Sequence, residues 1–303
     1  MDPVKPLILL AGILLLTLGT KGGRLHQPVQ EDDCSLTGKS TPGLSPSVVF
    51  HELSNGSVND ESNPVDHYAV YKSYSKDTKH YGLMATMDVY GFSSLSRDQE
   101  TAAVIWVGNQ PSQDFILVGW HVKPSLYGDS HTRFFTYWTK DGFLTTGCYN
   151  TACPGFQLQP DARTFPGAVI DPISKINGRR QNITIKIYKE DQTGDWWVYY
   201  GFNSSPTSVG KFPKSLFTGL ADSTADFAFG GYTNNARTQL TPPMGSGSSQ
   251  TGSAASFSGL QYILQDGTLS AVAGNLPSRV DNRCYLVTPI ADGKFFYGGP
   301  GGC

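Results

Sequence analysis

The sequence predicts an all-β domain of the sandwich type, and two observations support this. The 303 residues include 16 Phe, 15 Tyr, 5 Trp, 34 Gly and 19 Pro, a mixture that favours strands and tight turns over long helices. From His67 onward, short runs of Val, Ile, Phe, Tyr and Trp are broken by turn residues at intervals of about ten to fifteen, which is typical of a sandwich. A chain of this length is able to bury a core.

The N-terminal residues 1–23 are predicted to be a secretory signal peptide. Residues 7–18 are almost wholly apolar, follow Lys5 and end in small and polar residues. This run is too short for a spanning helix, which needs about twenty residues, and it matches the apolar region of a cleaved signal. An uncleaved anchor or a buried helix is the alternative. We therefore expect export, with no membrane attachment after signal removal.

Residues 24–66 are predicted to be a flexible leader or a short propeptide. They are rich in Asp, Glu, Ser, Asn, Pro and Gly and poor in aromatic residues, so they bury too little apolar surface to offset the entropy of the chain. The folded domain is predicted to span residues 67–303.

Within this domain, apolar runs and alternating patterns predict the strands. Residues Ile183, Ile185 and Ile187 alternate with polar neighbours, as a half-buried strand requires. Residues 214–220 resemble one or two helical turns. We expect strands at residues 69–73, 81–89, 103–107, 115–122, 133–138, 155–159, 182–188, 196–202, 227–232, 255–264, 284–287 and 294–297.

Cysteine usage agrees with export. Cys148 and Cys153 lie five residues apart across a turn, and Cys284 and Cys303 bracket the last strands. Two local bridges are the economical pairing in an oxidising compartment, although four cysteines allow three pairings. A zinc site is the competing use, but it is disfavoured because the spacing is not C-x2-C and no histidine is near either pair. Cys34 is left over.

Other sequence features limit the possible functions. The sequons at Asn55, Asn182 and Asn203 fit an exported glycoprotein. The formal net charge of -2 offers no basic field for nucleic acid. The sequence contains no G-x-S-x-G elbow, no H-x-x-x-H pair and no phosphate-binding glycine fingerprint, so we expect neither a metal nor a cofactor. His121 is interpreted as a strand or cleft residue.

A series of uncommon motifs runs through the domain in order. They are VGWHVKPSLYGD at 118–129, RFFTYWTKD at 133–141, TGCYN at 146–150, CPGF at 153–156, DWW at 195–197, GG at 230–231, PMGSG at 243–247 and FYGGPG at 296–301. Together they resemble the neprosin domain of plants, and the resemblance covers residues 67–303.

The resemblance implies an antiparallel β-sandwich of two packed sheets with short helical turns. It also implies a secreted glutamic endopeptidase that cuts after proline under acidic conditions, located in the apoplast or cell wall. Finally, it implies disulfides that join Cys148 to Cys153 and Cys284 to Cys303.

The catalytic glutamates that the resemblance implies are both replaced. The first stands two residues before the Gly-Trp pair, where this chain has Leu117, and the second follows the Gly-Gly pair, where it has Tyr232. One carboxylate should take a proton from water while a protonated partner polarises the scissile carbonyl. Leucine accepts no proton, and tyrosine, with an ordinary pKa of about 10, is neutral in acid. No catalytic residue is predicted to be retained.

No other carboxylate is expected to replace the two missing glutamates. Glu100 and Glu190 are both expected beside turns, and Asp114 should point to the strand face opposite Leu117. Asp129 and Asp141 are interpreted as turn or strand-end residues.

Strand parity gives a hypothesis for the cleft. Phe115, Leu117, Gly119 and His121 should share one face of their strand, and Tyr232 would add an aromatic wall opposite. The cleft candidates are therefore Leu117, His121 and Tyr232. Alternatively, Leu117 and Tyr232 pack together and close the groove. Trp196 and Trp197 should point to opposite faces, which allows either core packing or sugar stacking.

Two functions follow from these observations. The favoured one is a secreted neprosin-like pseudoenzyme of unknown oligomeric state that binds proline-rich peptides, cell-wall glycans or another peptidase. The alternative is an active prolyl endopeptidase with a different carboxylate pair, which would need two carboxyl groups within about 5 to 7 Å of each other.

Overall fold

The computed structural model describes residues 64–75, 79–222, 225–272 and 274–303. These residues form two antiparallel sheets packed face to face, of seven and ten strands. The predicted all-β sandwich is therefore confirmed. The predicted signal peptide, Cys34, Asn55 and the leader up to residue 63 lie outside the described residues.

The strands follow one another with short connections and little helix. Two single-turn helices, α1 (Pro124–Tyr127) and α2 (Gly219–Asp222), and a 3₁₀ turn (Lys214–Leu216) interrupt them. In chain order the strands are β1 (Val65–Ser73), β2 (Gly82–Asp88), β3 (Gln99–Asn109), β4 (Asp114–Val122), β5 (Arg133–Thr139), β6 (Cys148–Tyr149), β7 (Gln157–Leu158), β8 (Asn182–Lys189), β9 (Trp196–Phe202), β10 (Thr207–Phe212), β11 (Asp226–Asn235), β12 (Met244–Gly245), β13 (Ala255–Ile263), β14 (Leu269–Ala271), β15 (Ser278–Val280), β16 (Leu286–Val287) and β17 (Phe295–Gly299).

The first sheet has the order β15-β1-β11-β3-β4-β5-β6, and the second has the order β12-β17-β13-β2-β8-β9-β10-β7, with β14 paired to β13 and β16 to β17. Each predicted strand overlaps an observed one. The strands β6, β10, β12, β14 and β15 were not predicted. The longest of them, β10, was missed because a register shift between Ser208 and Gly210 interrupts the alternation on which such predictions depend. The strand β1 begins at Val65, two residues before the predicted start of the domain.

The core lies between the two sheets and is built from alternating side chains. Ile183, Ile185 and Ile187 of β8 are fully buried there, as their spacing predicts. Trp196 is fully buried in the same core, whereas Trp197 points to the other side of its sheet. Trp120 reaches the core from β4, and its indole N–H donates to the Asp88 carbonyl at 2.9 Å.

The disulfides join Cys148 to Cys153 and Cys284 to Cys303. This confirms the predicted pairing and removes the zinc alternative for these four residues. Among the described residues, no helix has the length and apolar character needed to cross a bilayer.

The two predicted glycosylation sites that the structure describes lie at neighbouring strand ends. Asn182 begins β8, and Asn203 follows β9 in an exposed turn. The Asn203 Oδ1 atom accepts a hydrogen bond from the Asn182 backbone N–H at 3.0 Å. Glycosylation of either residue stays a prediction.

Asp114 joins the first sheet to the segment around α2. Its buried carboxylate accepts hydrogen bonds from the backbone N–H groups of Thr218, Gly219 and Leu220 at 3.0, 2.6 and 3.0 Å. Removing the acceptor leaves several buried donors unpaired, so Asp114→Ala is expected to lower the free energy of unfolding by about 2 to 4 kcal/mol. Urea unfolding measures this, with Asp161→Ala in an exposed loop as the control. Equal effects of the two variants would contradict the expectation.

Candidate functional site

The three cleft candidates lie on the outer face of the first sheet. Leu117 and His121 belong to β4, Tyr232 belongs to β11, and β3 pairs with both strands. The expected parity of β4 is correct, since Leu117 packs in an outer-face cluster while Trp120 packs in the core. Tyr232, however, does not form a wall opposite Leu117. Because both strands belong to one sheet, the two side chains project from the same floor.

Strand register shows which of these positions are level with each other. Leu117 pairs with Trp106, which pairs with Ala228, whereas Tyr232 lies four residues further along β11. In a regular sheet, this places the Cα atoms of Leu117 and Tyr232 about 16 Å apart, against about 10 Å for Leu117 and Ala228. Leu117, Trp106 and Ala228 therefore form one row across three neighbouring strands. Neither Leu117 nor Ala228, the two ends of this row, is an acid.

The centre of the outer face is an apolar cluster. It contains Tyr68, Val70, Ala102, Val104, Trp106, Phe115, Leu117, Phe135, Tyr149, Ala228 and Tyr232, and all of these are buried. Ring centroids of Tyr68 and Tyr232 lie 5.4 Å apart, and those of Trp106 and Tyr232 lie 6.4 Å apart. Leu117 and Tyr232 thus belong to one buried cluster, although they do not lie level with each other.

The Tyr232 hydroxyl group is hydrogen-bonded to a carboxylate. It donates to Asp66 Oδ1 at 2.9 Å, and the Asn234 side-chain amide donates to the same oxygen at 2.6 Å. Burial, together with the nearby charge of Asp66, holds the pKa of Tyr232 well above its ordinary value. This phenol is therefore a hydrogen-bond donor that does not ionise at acid or neutral pH.

Glu100 is the main correction to the sequence analysis. It follows a turn at residues 97–98, as expected, but it is also the second residue of β3, is 2% exposed and lies on the outer face. Its Oε1 atom lies 2.9 Å from His121 Nδ1, and its Oε2 atom accepts a hydrogen bond from Lys123 Nζ. It was missed because the apolar run begins only at Ala102, which hides the polar start of the strand. Glu190 does lie at a turn, just after β8.

His121 connects Glu100 to the helix α1 through hydrogen bonds. Its Nε2 atom lies 2.9 Å from the Tyr127 hydroxyl oxygen, which accepts a hydrogen bond from the Asn150 amide at 2.9 Å. The arrangement is satisfied when His121 donates from Nδ1 to Glu100 and accepts at Nε2 from Tyr127. The imidazole also stacks on Phe135, with ring centroids 4.0 Å apart.

Burial and charge fix the protonation of this network. Burial lowers the pKa of His121, and the opposing effect of Glu100 does not overcome it. Burial alone would raise the pKa of Glu100, but the Lys123 charge and the two hydrogen bonds hold it below its ordinary value. Burial raises the pKa of Tyr127 to about 12. Glu100 is therefore ionised and His121 neutral near pH 7.

Strand pairing also aligns two carboxylates that the motifs did not indicate. Asp66 on β1 pairs with Asn234 on β11, and Asn234 pairs with Glu100 on β3. The two acids therefore lie in one row on the outer face, with Cα atoms about 10 Å apart in a regular sheet. Asp66 was missed because the composition of residues 24–66 predicts a flexible leader.

The chain was compared with known families and structures. The family model described as Neprosin matches residues 97–300. The fold is similar to scytalido-glutamic peptidase bound to a peptide-based transition-state analogue, with 11% identity, a TM-score of 0.42, and coverage of 79% of this chain and 98% of that one. It is also similar to SCP-B, a member of the eqolisin family of peptidases in complex with a tripeptide, with 10% identity, a TM-score of 0.38 and the same coverage.

The family match covers about two thirds of the chain and includes β3, β4 and β11, the three strands that form the centre of the outer face. The chain belongs to the Neprosin family.

Proposed function

We propose that this protein is a secreted Neprosin-family pseudoenzyme that binds its ligand without cleaving it. The observation that carries the proposal is the row of Leu117, Trp106 and Ala228, which places no carboxyl group at the centre of the outer face. Tyr232, further along β11, offers only a neutral phenol that is already bonded to Asp66.

The chemistry of a glutamic peptidase needs an ionised carboxylate and a protonated one around a single water molecule. General acid and base assistance contributes about 10² to 10⁴ in rate. An aliphatic side chain supplies neither function, and a phenol with a raised pKa does not accept a proton from water. Loss of both groups should therefore leave little peptidase activity.

The partner and the location also belong to this proposal. The two disulfides are stable in an oxidising compartment, which agrees with the apolar N-terminal run and the sequons in supporting export to the apoplast or cell wall. Proline-rich peptides and cell-wall glycans are the ligands that this location and the family suggest.

A second candidate function is an active prolyl endopeptidase that uses Asp66 and Glu100. The single row that contains both acids favours it. Against it stands the pairing of Glu100 with both Lys123 and His121. A carboxylate that is held ionised in this way is a weak base and does not serve as the protonated partner.

A peptide-cleavage assay separates the two candidates. The unmodified exported protein is expected to leave proline-containing peptides intact from acid to neutral pH, as judged by mass spectrometry. Asp66→Asn is the diagnostic variant, and Glu190→Gln, at a turn of the second sheet, is its control. Cleavage that disappears in Asp66→Asn and persists in Glu190→Gln would refute the pseudoenzyme and support the second candidate.

A further inference from the structure

The outer face of the second sheet, remote from Glu100 and Leu117 in the fold, carries half-exposed aromatic side chains. The residues of β8 and β9 that alternate with the core residues include Tyr188, Trp197 and Tyr199, each of which is half-buried. Tyr188 pairs with Trp197 across the two strands, and Tyr199 pairs with Lys186. Lys211 of β10 pairs with Trp197 on the other side. We refer to these five residues as the aromatic-lysine patch.

The lysines of this patch lie against the aromatic rings. Lys186 Nζ is 4.9 Å from the centroid of the Tyr199 ring and 5.4 Å from that of Tyr188. Lys211 Nζ is 5.3 Å from the centroid of the Trp197 ring. Such cation–π contacts hold an ammonium group beside an apolar surface. Each lysine therefore holds a positive charge over one face of a ring, which leaves the other face for a ligand to stack on.

The charges around the patch are unevenly distributed. Lys211 is paired with Asp195 at 2.7 Å, whereas Lys186 is within salt-bridge distance of no carboxylate in the described part of the chain. The outward positions of β8 and β9 carry no Asp or Glu. Acidic residues gather beyond Tyr188: burial and the charges of Asp191, Glu190 and Asp266 raise the pKa of Tyr188, and burial and Glu190 raise that of Tyr199. A negatively charged ligand is thus favoured over Lys186 and Tyr199, which lie one row further from these acids than Tyr188 and Trp197.

We propose that the aromatic-lysine patch binds an acidic polysaccharide, a linear chain that contains uronic acid residues. A pyranose ring has an apolar C–H face that stacks on an aromatic ring, which is large and apolar on its faces. The carboxylate of a uronic acid complements Lys186. In a regular sheet the Cα atoms of Lys186 and Lys211 are about 12 Å apart, a span that suits an extended polymer lying on a flat surface.

The same features disfavour other occupants. A proline-rich peptide without acidic residues would use the rings and gain nothing from Lys186. The inference specifies the glycan partner of the proposed function and so rests on it, but it does not depend on whether the first sheet is catalytically inactive.

Binding to polygalacturonate tests the proposal. The unmodified exported protein is expected to be retarded in native gels that contain polygalacturonate but not in gels that contain neutral galactan, and added salt should weaken the retardation. Trp197→Ala and Lys186→Gln should each weaken binding at least about fivefold, since each removes a contact worth about 1 kcal/mol. Phe165→Ala, at a residue that is 56% exposed, and Lys175→Gln, in an exposed loop, are the matched controls and should bind normally.

Several results would overturn the inference. These are the absence of retardation, equal retardation by neutral galactan, normal binding by Lys186→Gln, or displacement of polygalacturonate by a proline-rich peptide. Circular dichroism verifies the fold of each variant, and Lys186→Gln, which removes only a surface charge, keeps the test valid if Trp197→Ala unfolds. Peptide cleavage is read in its own assay, so failure of the pseudoenzyme and failure of glycan binding are distinguishable.

Discussion

Replacing Glu100 with glutamine is expected to lower the free energy of unfolding by about 3 to 5 kcal/mol, because it breaks a buried ion pair and leaves the other charge behind. Lys123 is 7% exposed, and Glu100 is its ion-pair partner within the described residues. His121 would keep an acceptor in the new amide, so most of the loss should come from the uncompensated Lys123 ammonium group. Urea unfolding followed by tryptophan fluorescence measures the change.

Two further variants isolate the cause of this loss. Glu190→Gln makes the same chemical change at a half-exposed turn, where Glu190 accepts a hydrogen bond from Thr193, and should alter stability by less than about 1 kcal/mol. Glu100→Gln combined with Lys123→Met removes both charges and should recover part of the loss. If Glu100→Gln matched Glu190→Gln, the ion pair would not have the structural role described here.

Stability is expected to fall with acidity in two stages, and the sign follows from the lowered pKa values of His121 and Glu100. The unfolded chain binds a proton at His121 near the ordinary pKa of 6.5, while the folded protein resists protonation there. The contribution of His121 to the free energy of unfolding is complete above pH 6.5 and declines as the pH falls toward its lowered pKa. Glu100 makes a second contribution to stability, which is complete above its ordinary pKa of 4.5 and is lost as the pH falls through its lowered pKa.

Unfolding measured at a series of pH values tests this. His121→Gln should remove part of the upper stage, while His131→Gln, at an imidazole whose side chain is 67% exposed, should leave it unchanged. Burial also lowers the pKa values of His67 and His80. These two residues should therefore account for the loss of stability between neutral pH and pH 5 that remains in His121→Gln. A profile that is flat between neutral pH and pH 5 would contradict the burial of neutral His121.

Local sequence patterns were sufficient to predict the sandwich and the faces of its strands. Period-two alternation placed Ile183, Ile185 and Ile187 in the core and separated Trp196 from Trp197, because alternation depends only on neighbours along the chain. The disulfides followed from the motif resemblance.

The relative positions of residues on different strands could not be predicted in this way. Asp66 and Asn234 are hydrogen-bonded although they lie 168 residues apart in sequence, and no local pattern specifies that pairing. For the same reason, the motifs identified Leu117 and Tyr232 but could not show which residues of the neighbouring strands lie beside each of them. Register shows that Ala228 is level with Leu117. Glu100 was misjudged because its strand begins before the apolar run.

We propose that the first sheet holds no protonated acid able to assist a carboxylate in activating water. The most direct measurement is an NMR titration of the Glu100 carboxyl carbon in the native protein, with Glu100→Gln used to assign the signal. We expect a titration below the ordinary glutamate pKa, because Lys123 and His121 stabilise the ionised form. A titration above that value, as in a carboxyl group that keeps or shares a proton, would contradict the claim.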